Sequence, residues 1–180
     1  MKEKTLRIGW LTLTALVCAL LAASCGKTTV NGRVVDAETG KPVSGAAVYI
    51  YWGKPGSGPP GLGGKVKVGV TEILTNAEGR FEVPKYYSFF WHFYLAVYKQ
   101  GYVCWSSRKV FPTYEERRDF KLKNGMKIQL EHFNPEYSRS KHAYFTLVAS
   151  VGRIGGGLFD RAIKDEMRIV RKNIRKNRGK

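Results

Sequence analysis

Acidic residues are scarce in this chain. Its 180 residues hold 14 Asp and Glu against 31 Lys and Arg, a formal net charge of +17. Attraction to anionic partners follows: lipid head groups, phosphorylated glycans, acidic proteins or nucleic acid. Cysteine is as sparse, at three, which excludes a disulfide-stapled scaffold and requires an ordinary hydrophobic core. No apolar run reaches the ~18 residues of a full bilayer span; the longest, Ile8 to Ala23, stops short. The three histidines, His92, His132 and His142, lack the close pair spacing of a metal site. No serine has the Gly-x-Ser-x-Gly context of a nucleophile elbow. No enzyme, no cofactor and no metal are therefore expected; two of these histidines meeting a carboxylate in one pocket would be the exception.

The first residues have the build of an export signal. Lys2, Lys4 and Arg7 precede the apolar run, and Leu21-Ala-Ala-Ser-Cys25 closes it. Small residues fit a signal peptidase, and a cysteine directly after them offers a thiol to a lipid. The segment resembles the lipobox of bacterial lipoproteins, although Ala22 stands where leucine is usual. An uncleaved anchor and an ordinary cleavable signal are the alternatives. The resemblance implies removal of residues 1–24, a palmitate-type lipid on Cys25, a short tether over 25–29, and a membrane-bound place in the bacterial cell envelope. Gly26 follows the cysteine, and the aspartate that often retains lipoproteins in the inner membrane is absent there. The outer membrane is favoured by that resemblance, with the domain facing the periplasm or the surface. Export removes nucleic acid from the partners. With Cys25 lipidated and Cys18 removed, Cys104 has no disulfide partner, and its neighbours Val103 and Trp105 mark a small buried hydrophobe.

Between Val30 and Leu130 the apolar residues come in short runs separated by turn signals, the rhythm of an all-β domain. The runs predict strands at Val30–Val35, Ala46–Trp52, Val66–Thr75, Arg80–Val83, Phe93–Tyr98, Tyr102–Val110, Arg117–Leu122 and Met126–Leu130. Asp36–Gly40 and Asn76–Gly79 each join a side chain that bonds nearby backbone to a glycine free to take positive φ, and Asn124-Gly125 suits a hairpin. Strands this short bury a core only as two sheets face to face. Gly56-x-Gly58-x-x-Gly61 has the dinucleotide spacing, but Pro59 and Pro60 interrupt it and a strand follows instead of a helix, so it reads as a surface loop.

Tyr86 to Tyr98 is rich in aromatics. Two readings stand: rings packed in a core beneath a helical lid, or an exposed platform using Phe90, Trp91 and Tyr94 to stack on carbohydrate. Beyond Leu130 the period changes. Asn134-Pro135-Glu136 predicts a helix start, with Tyr144, Leu147, Val148 and Val151 as its apolar residues. Gly155-Gly156-Gly157 breaks it, and a second helix follows from Leu158. Phe159, Ile163, Met167, Val170 and Ile174 form its apolar stripe, and Arg161, Lys164, Arg168, Arg171, Lys172, Arg175 and Lys176 its basic face. Such a helix either packs by its stripe with its cations solvated, or lays both against anionic lipid.

Two segments are more specific. Val30-Asn-Gly-Arg-Val-Val-Asp-Ala-Glu-Thr-Gly-Lys-Pro-Val-Ser-Gly-Ala-Ala-Val48 and Thr75-Asn-Ala-Glu-Gly-Arg-Phe-Glu-Val83, with Ala96 to Tyr102 later, resemble the carboxypeptidase regulatory-like domain. The resemblance implies a transthyretin-like β-sandwich of seven to eight strands over 30–130, with the helical extension 131–180 outside the family pattern. It also implies an accessory, non-catalytic role; with the lipobox, the aromatic stretch and the basic helix, the expectation is structural or binding work at a membrane, with partners among anionic lipid, glycan or envelope proteins.

Overall fold

The computed structural model describes residues 28–57, 64–86, 91–152 and 155–178. Seven strands are formed among them: β1 (Thr29–Asp36), β2 (Ala47–Pro55), β3 (Lys65–Leu74), β4 (Arg80–Pro84), β5 (His92–Tyr98), β6 (Trp105–Ser106) and β7 (Met126–Leu130). They build a three-stranded sheet in the order β4-β1-β7 and a four-stranded sheet in the order β3-β2-β5-β6. Three helices follow the last strand: α1 (Arg139–Ala149), α2 (Leu158–Ala162) and α3 (Lys164–Arg178). The fold is a β-sandwich with a helical layer added to one side.

Alternation explains the sandwich. In β7, Met126, Ile128 and Leu130 are buried while Lys127 and Gln129 are exposed, so one face of the three-stranded sheet is apolar and the other wet. The apolar face meets Val48, Ile50, Trp52, Leu95 and Val97 of the larger sheet. Strand β2 is different, because every residue from Ala47 to Gly53 is buried. A strand buried on both faces needs cover on both. Its second face carries Ala47, Tyr49 and Tyr51 beside Ala96 and Tyr98 of β5, and packs against Phe145 of α1, Phe159 of α2 and Ile163. The helices are thus the lid that the aromatic sequence around β5 required.

Glycine is needed where the two family-like segments meet. Gly79 has φ +71°, and a Cβ there would run into the carbonyl oxygen of Val34, the strand to which its own carbonyl is bonded by the Val34 N–H at 2.8 Å. A Cβ on Gly32 would lie 2.5 Å from the Phe81 ring, so the anchor of β4 is seated directly on β1.

Several expectations need correction. Arg117–Leu122 is not a strand, and Tyr102–Val110 contracts to the two residues of β6. The Arg117 Nε–H donates to the Ser106 carbonyl at 2.8 Å and the guanidinium lies over the Trp105 ring at 4.8 Å, so a side chain takes an acceptor that a neighbouring strand would use. Asn124-Gly125 does not close a hairpin. It leads into β7, which pairs in parallel with β1, and the Asn124 side chain accepts from the Asn31 N–H at 3.1 Å. The first helix starts later than Asn134. That residue forms a local turn with the Glu136 N–H, and Ser138 caps the helix through the Lys141 N–H. The expected apolar face points outward: Tyr144 and Val148 of α1 and Val151 beyond its end are exposed and Leu147 is half-buried, while His142, Ala143, Phe145, Thr146 and Ala149 are buried. Phe145, packed on Phe111, and His142, paired with Glu166, fix which side of α1 is buried. The second helix is broken at Ile163 into α2 and α3.

Candidate functional site

The most deeply buried polar groups lie beneath the helices. Glu166, in the first turn of α3, accepts from the Tyr98 hydroxyl of β5 at 3.2 Å and pairs with His142 Nδ1 of α1 at 3.1 Å. His142 Nε2 accepts the Cys104 backbone N–H at 2.9 Å. A backbone donor on Nε2 assigns the ring proton to Nδ1, which donates to the carboxylate. His142 is 1% and Glu166 3% exposed. Three stretches distant in sequence, 98–104, α1 and α3, are therefore tied at one point.

Cysteine, histidine and glutamate are also the residue types of a thiol nucleophile with its base and orienting acid. The geometry here performs another task. The imidazole's acceptor nitrogen is occupied by backbone, and the Cys104 thiol sits toward the Trp105 carbonyl at 3.8 Å. Burial pushes that thiol up to about 12, so it stays protonated and poorly nucleophilic. The same burial, with the Glu166 carboxylate beside it, raises the Tyr98 phenol well above its ordinary range. The cluster is a clamp that ties the helical layer to the sandwich.

A second polar group closes the family-like turn. Asp36, at the end of β1, accepts from the Glu38 and Thr39 N–H groups and the Thr39 hydroxyl. Its other oxygen accepts from the Tyr102 hydroxyl at 3.0 Å and lies 2.7 Å from His132 Nε2. His132 stacks on Tyr102 with ring centroids 4.4 Å apart. The donors from Thr39 hold the Asp36 carboxyl well below the usual carboxylate range, against the opposing effect of burial. A depressed native value means that its stabilisation is complete above about pH 4 and fades as pH falls further. Asp36→Asn is expected to melt below the parent at neutral pH, with the difference shrinking between pH 4 and pH 2. Thermal unfolding against pH reads this, and a gap constant down to pH 2 would refute the charge's role.

His132 and His142 thus belong to two separate pairs, each with its own carboxylate. Among the described residues no group of three His, Cys, Asp or Glu is placed to hold a metal ion.

Of the expected carbohydrate platform, the two described rings pack on different neighbours. Trp91 lies against Tyr86 at 5.7 Å between centroids, whereas Tyr94 packs on Tyr51 at 5.8 Å beneath the Arg108 guanidinium. Phe90 lies outside the described residues, as does Cys25. Arg161, Lys164, Arg168, Arg171, Lys172, Arg175 and Lys176 are all exposed. The apolar stripe beneath them is buried at Phe159, Ile163 and Val170, but Ile174 is 41% exposed. Packing therefore accounts for the first part of the stripe and not for its end.

No protein-family model matches the chain, and no curated protein matches it. Among solved structures, the group B streptococcus pilus 2b backbone protein is 13% identical, covering 58% of this chain and 40% of its own, with a TM-score of 0.35. A variant of the Lactobacillus rhamnosus GG shaft pilin is 15% identical over 59% and 49% of the two chains, with a TM-score of 0.36. A DUF3823 family protein from Bacteroides uniformis is 16% identical over 64% and 50%, with a TM-score of 0.33. This chain spans half or less of the length of each. The β-sandwich itself stands on the strand pairing described above.

Sequence reasoning missed Glu166. The signal was there: it sits three residues after Ile163 and four before Val170, a carboxylate set into an apolar stripe at helical spacing. A charge placed so has to meet a buried partner.

Proposed function

We propose that this chain is a non-catalytic module of a bacterial cell envelope, anchored through lipidated Cys25, which lays its helical layer on an anionic membrane. The observation that carries the reading is the end of α3. Its last turns hold Arg171, Lys172, Arg175 and Lys176 exposed around an exposed Ile174, an amphipathic arrangement suited to a lipid interface. The helical layer also bears Tyr144, Val148 and Val151 among the exposed large apolar residues. The clamp keeps this layer in a fixed pose on the sandwich. No helix among the described residues is long and apolar enough to cross a membrane, so the reading needs an anchor plus a surface contact. The carboxypeptidase regulatory-like resemblance supports the accessory role. Its first segment supplies β1, the Asp36 turn and the start of β2, and its second supplies β4.

Two measurements test this. Labelled palmitate should mark the protein in cells and be lost in Cys25→Ser. Chain 26–180 should float with anionic vesicles at low salt, and Gln at positions 171, 172, 175 and 176 should weaken binding about a hundredfold or more, at about 1 kcal/mol for each lost charge. Equal flotation of the two proteins would refute the lipid contact, and persisting label would refute the anchor.

A further inference from the structure

A second cationic surface lies on the opposite side of the molecule from the helices. Among the described residues no helix packs on the outer face of the three-stranded sheet, and across it the strand register sets Arg33 of β1 directly between Arg80 of β4 and Lys127 of β7. All three are exposed. Register partners share a face with Cβ atoms about 5 Å apart, and like charges placed so destabilise a sheet. None of the three has an ion-pair partner among the described residues; the Arg33 Nε–H donates to the Glu78 carbonyl. The row crosses an open depression of about 730 Å³, lined also by Asn31, Asn76 and Glu82.

We infer that this row binds a carboxylated polysaccharide lying across the strands. Guanidinium forks pair with carboxylates in bidentate fashion, and the lateral spacing of strands, about 4.8 Å, repeats the cations at sugar-like intervals. The amides of Asn31 and Asn76 and the carboxylate of Glu82 offer donors and an acceptor to hydroxyl groups. A bilayer is the poorer occupant, because none of the exposed large apolar residues lines this depression, leaving nothing to enter lipid. The sandwich thus separates two anion-seeking faces, one toward lipid and one toward glycan. The inference is independent of the lipid contact and rests on different residues.

The experiment uses the full-length protein in detergent micelles, with affinity electrophoresis through polygalacturonate, neutral dextran and poly-L-glutamate as probes. The parent should be retarded by polygalacturonate and not by dextran. The variant Arg33→Gln, Arg80→Gln, Lys127→Gln should bind polygalacturonate at least about tenfold more weakly, the loss of three exposed charge pairs. Its melting temperature should be unchanged or higher, since neutralising the row removes repulsion. A control with Gln at 171, 172 and 175 should keep its polygalacturonate binding while losing vesicle binding. Equal loss in the two variants would reduce the effect to net charge and overturn the inference. So would a lower melting temperature in the sheet variant with unchanged retardation, or tighter binding to poly-L-glutamate, which would assign the face to an acidic protein.

Discussion

Phe159→Ala is expected to lower the unfolding free energy by about 3–5 kcal/mol, the usual cost of emptying a buried phenylalanine site. The ring is 0% exposed and lies 5.4 Å from Tyr49 between centroids, where it plugs the space between the outer face of β2 and the helices. Its backbone N–H is held by Glu72 of β3 at 3.1 Å, so α2 cannot slide to refill the gap. The Cys104 thiol reports the damage independently. It is 1% exposed under the same layer, and in chain 26–180 it is the one remaining cysteine, so a thiol reagent should react faster in the variant than in the parent. Ile174→Ala serves as the comparison, because an exposed position away from special features changes stability by about 0.5 kcal/mol or less. Urea unfolding that ranks the two variants equally would mean the helices are not packed on the sheet.

Glu166→Ala should cost roughly 2–6 kcal/mol for a different reason, about 1–3 for each of the two buried donors left without an acceptor. Removing one member of a buried pair leaves the other members without their partner. Tyr98 loses an acceptor and His142 Nδ1–H loses its carboxylate, both in a place that water does not reach. His142→Ala should be of similar size and should also strip the acceptor from the Cys104 N–H. The double variant should cost clearly less than the sum, because contacting residues couple by about 0.5–3 kcal/mol. Glu166→Gln keeps volume and an acceptor and should be milder than Glu166→Ala. Additive losses in a double-mutant cycle would show that the pair is not a unit.

The clamp also shows where a single chain stops being readable. Met126–Leu130 could be taken from alternation alone, and its bounds agree with β7 to the residue. The Asp36 and Asn76 turns were legible because their chemistry is local, a side-chain oxygen meeting backbone N–H groups two to four residues on. The partner of Asp36 on the far side was not, since His132 and Tyr102 reach it only once β7 has been laid beside β1. His142 and Glu166 are buried polar residues on separate helices, and their meeting depends on how α1 and α3 are set on the sheet. The outward turn of Tyr144 and Val148 has the same cause. Helical periodicity tells which residues share a face, and the competition among Phe145, His142 and the sheet beneath decides which face is buried. The lateral row of Arg33, Arg80 and Lys127 needs register, which no one strand contains.

The place of β1 in its sheet has a consequence for the order of assembly. β1 is the first strand of the described chain, yet it is the central strand of its sheet, bonded on one side to β4 and on the other to β7. The Gly125 N–H that starts the parallel pairing reaches Asn31, 94 positions back. Closing so long a loop costs entropy before the contacts repay it, and folds dominated by such pairings are slow. An emerging chain therefore holds β1 with one edge open until residue 130 has been made, and the helices that cover the other sheet come later still. For the exported form proposed above, that delay is useful. A polypeptide threaded through a membrane channel has to travel unfolded, and here the sheet nearest the proposed leader is the one that cannot close early.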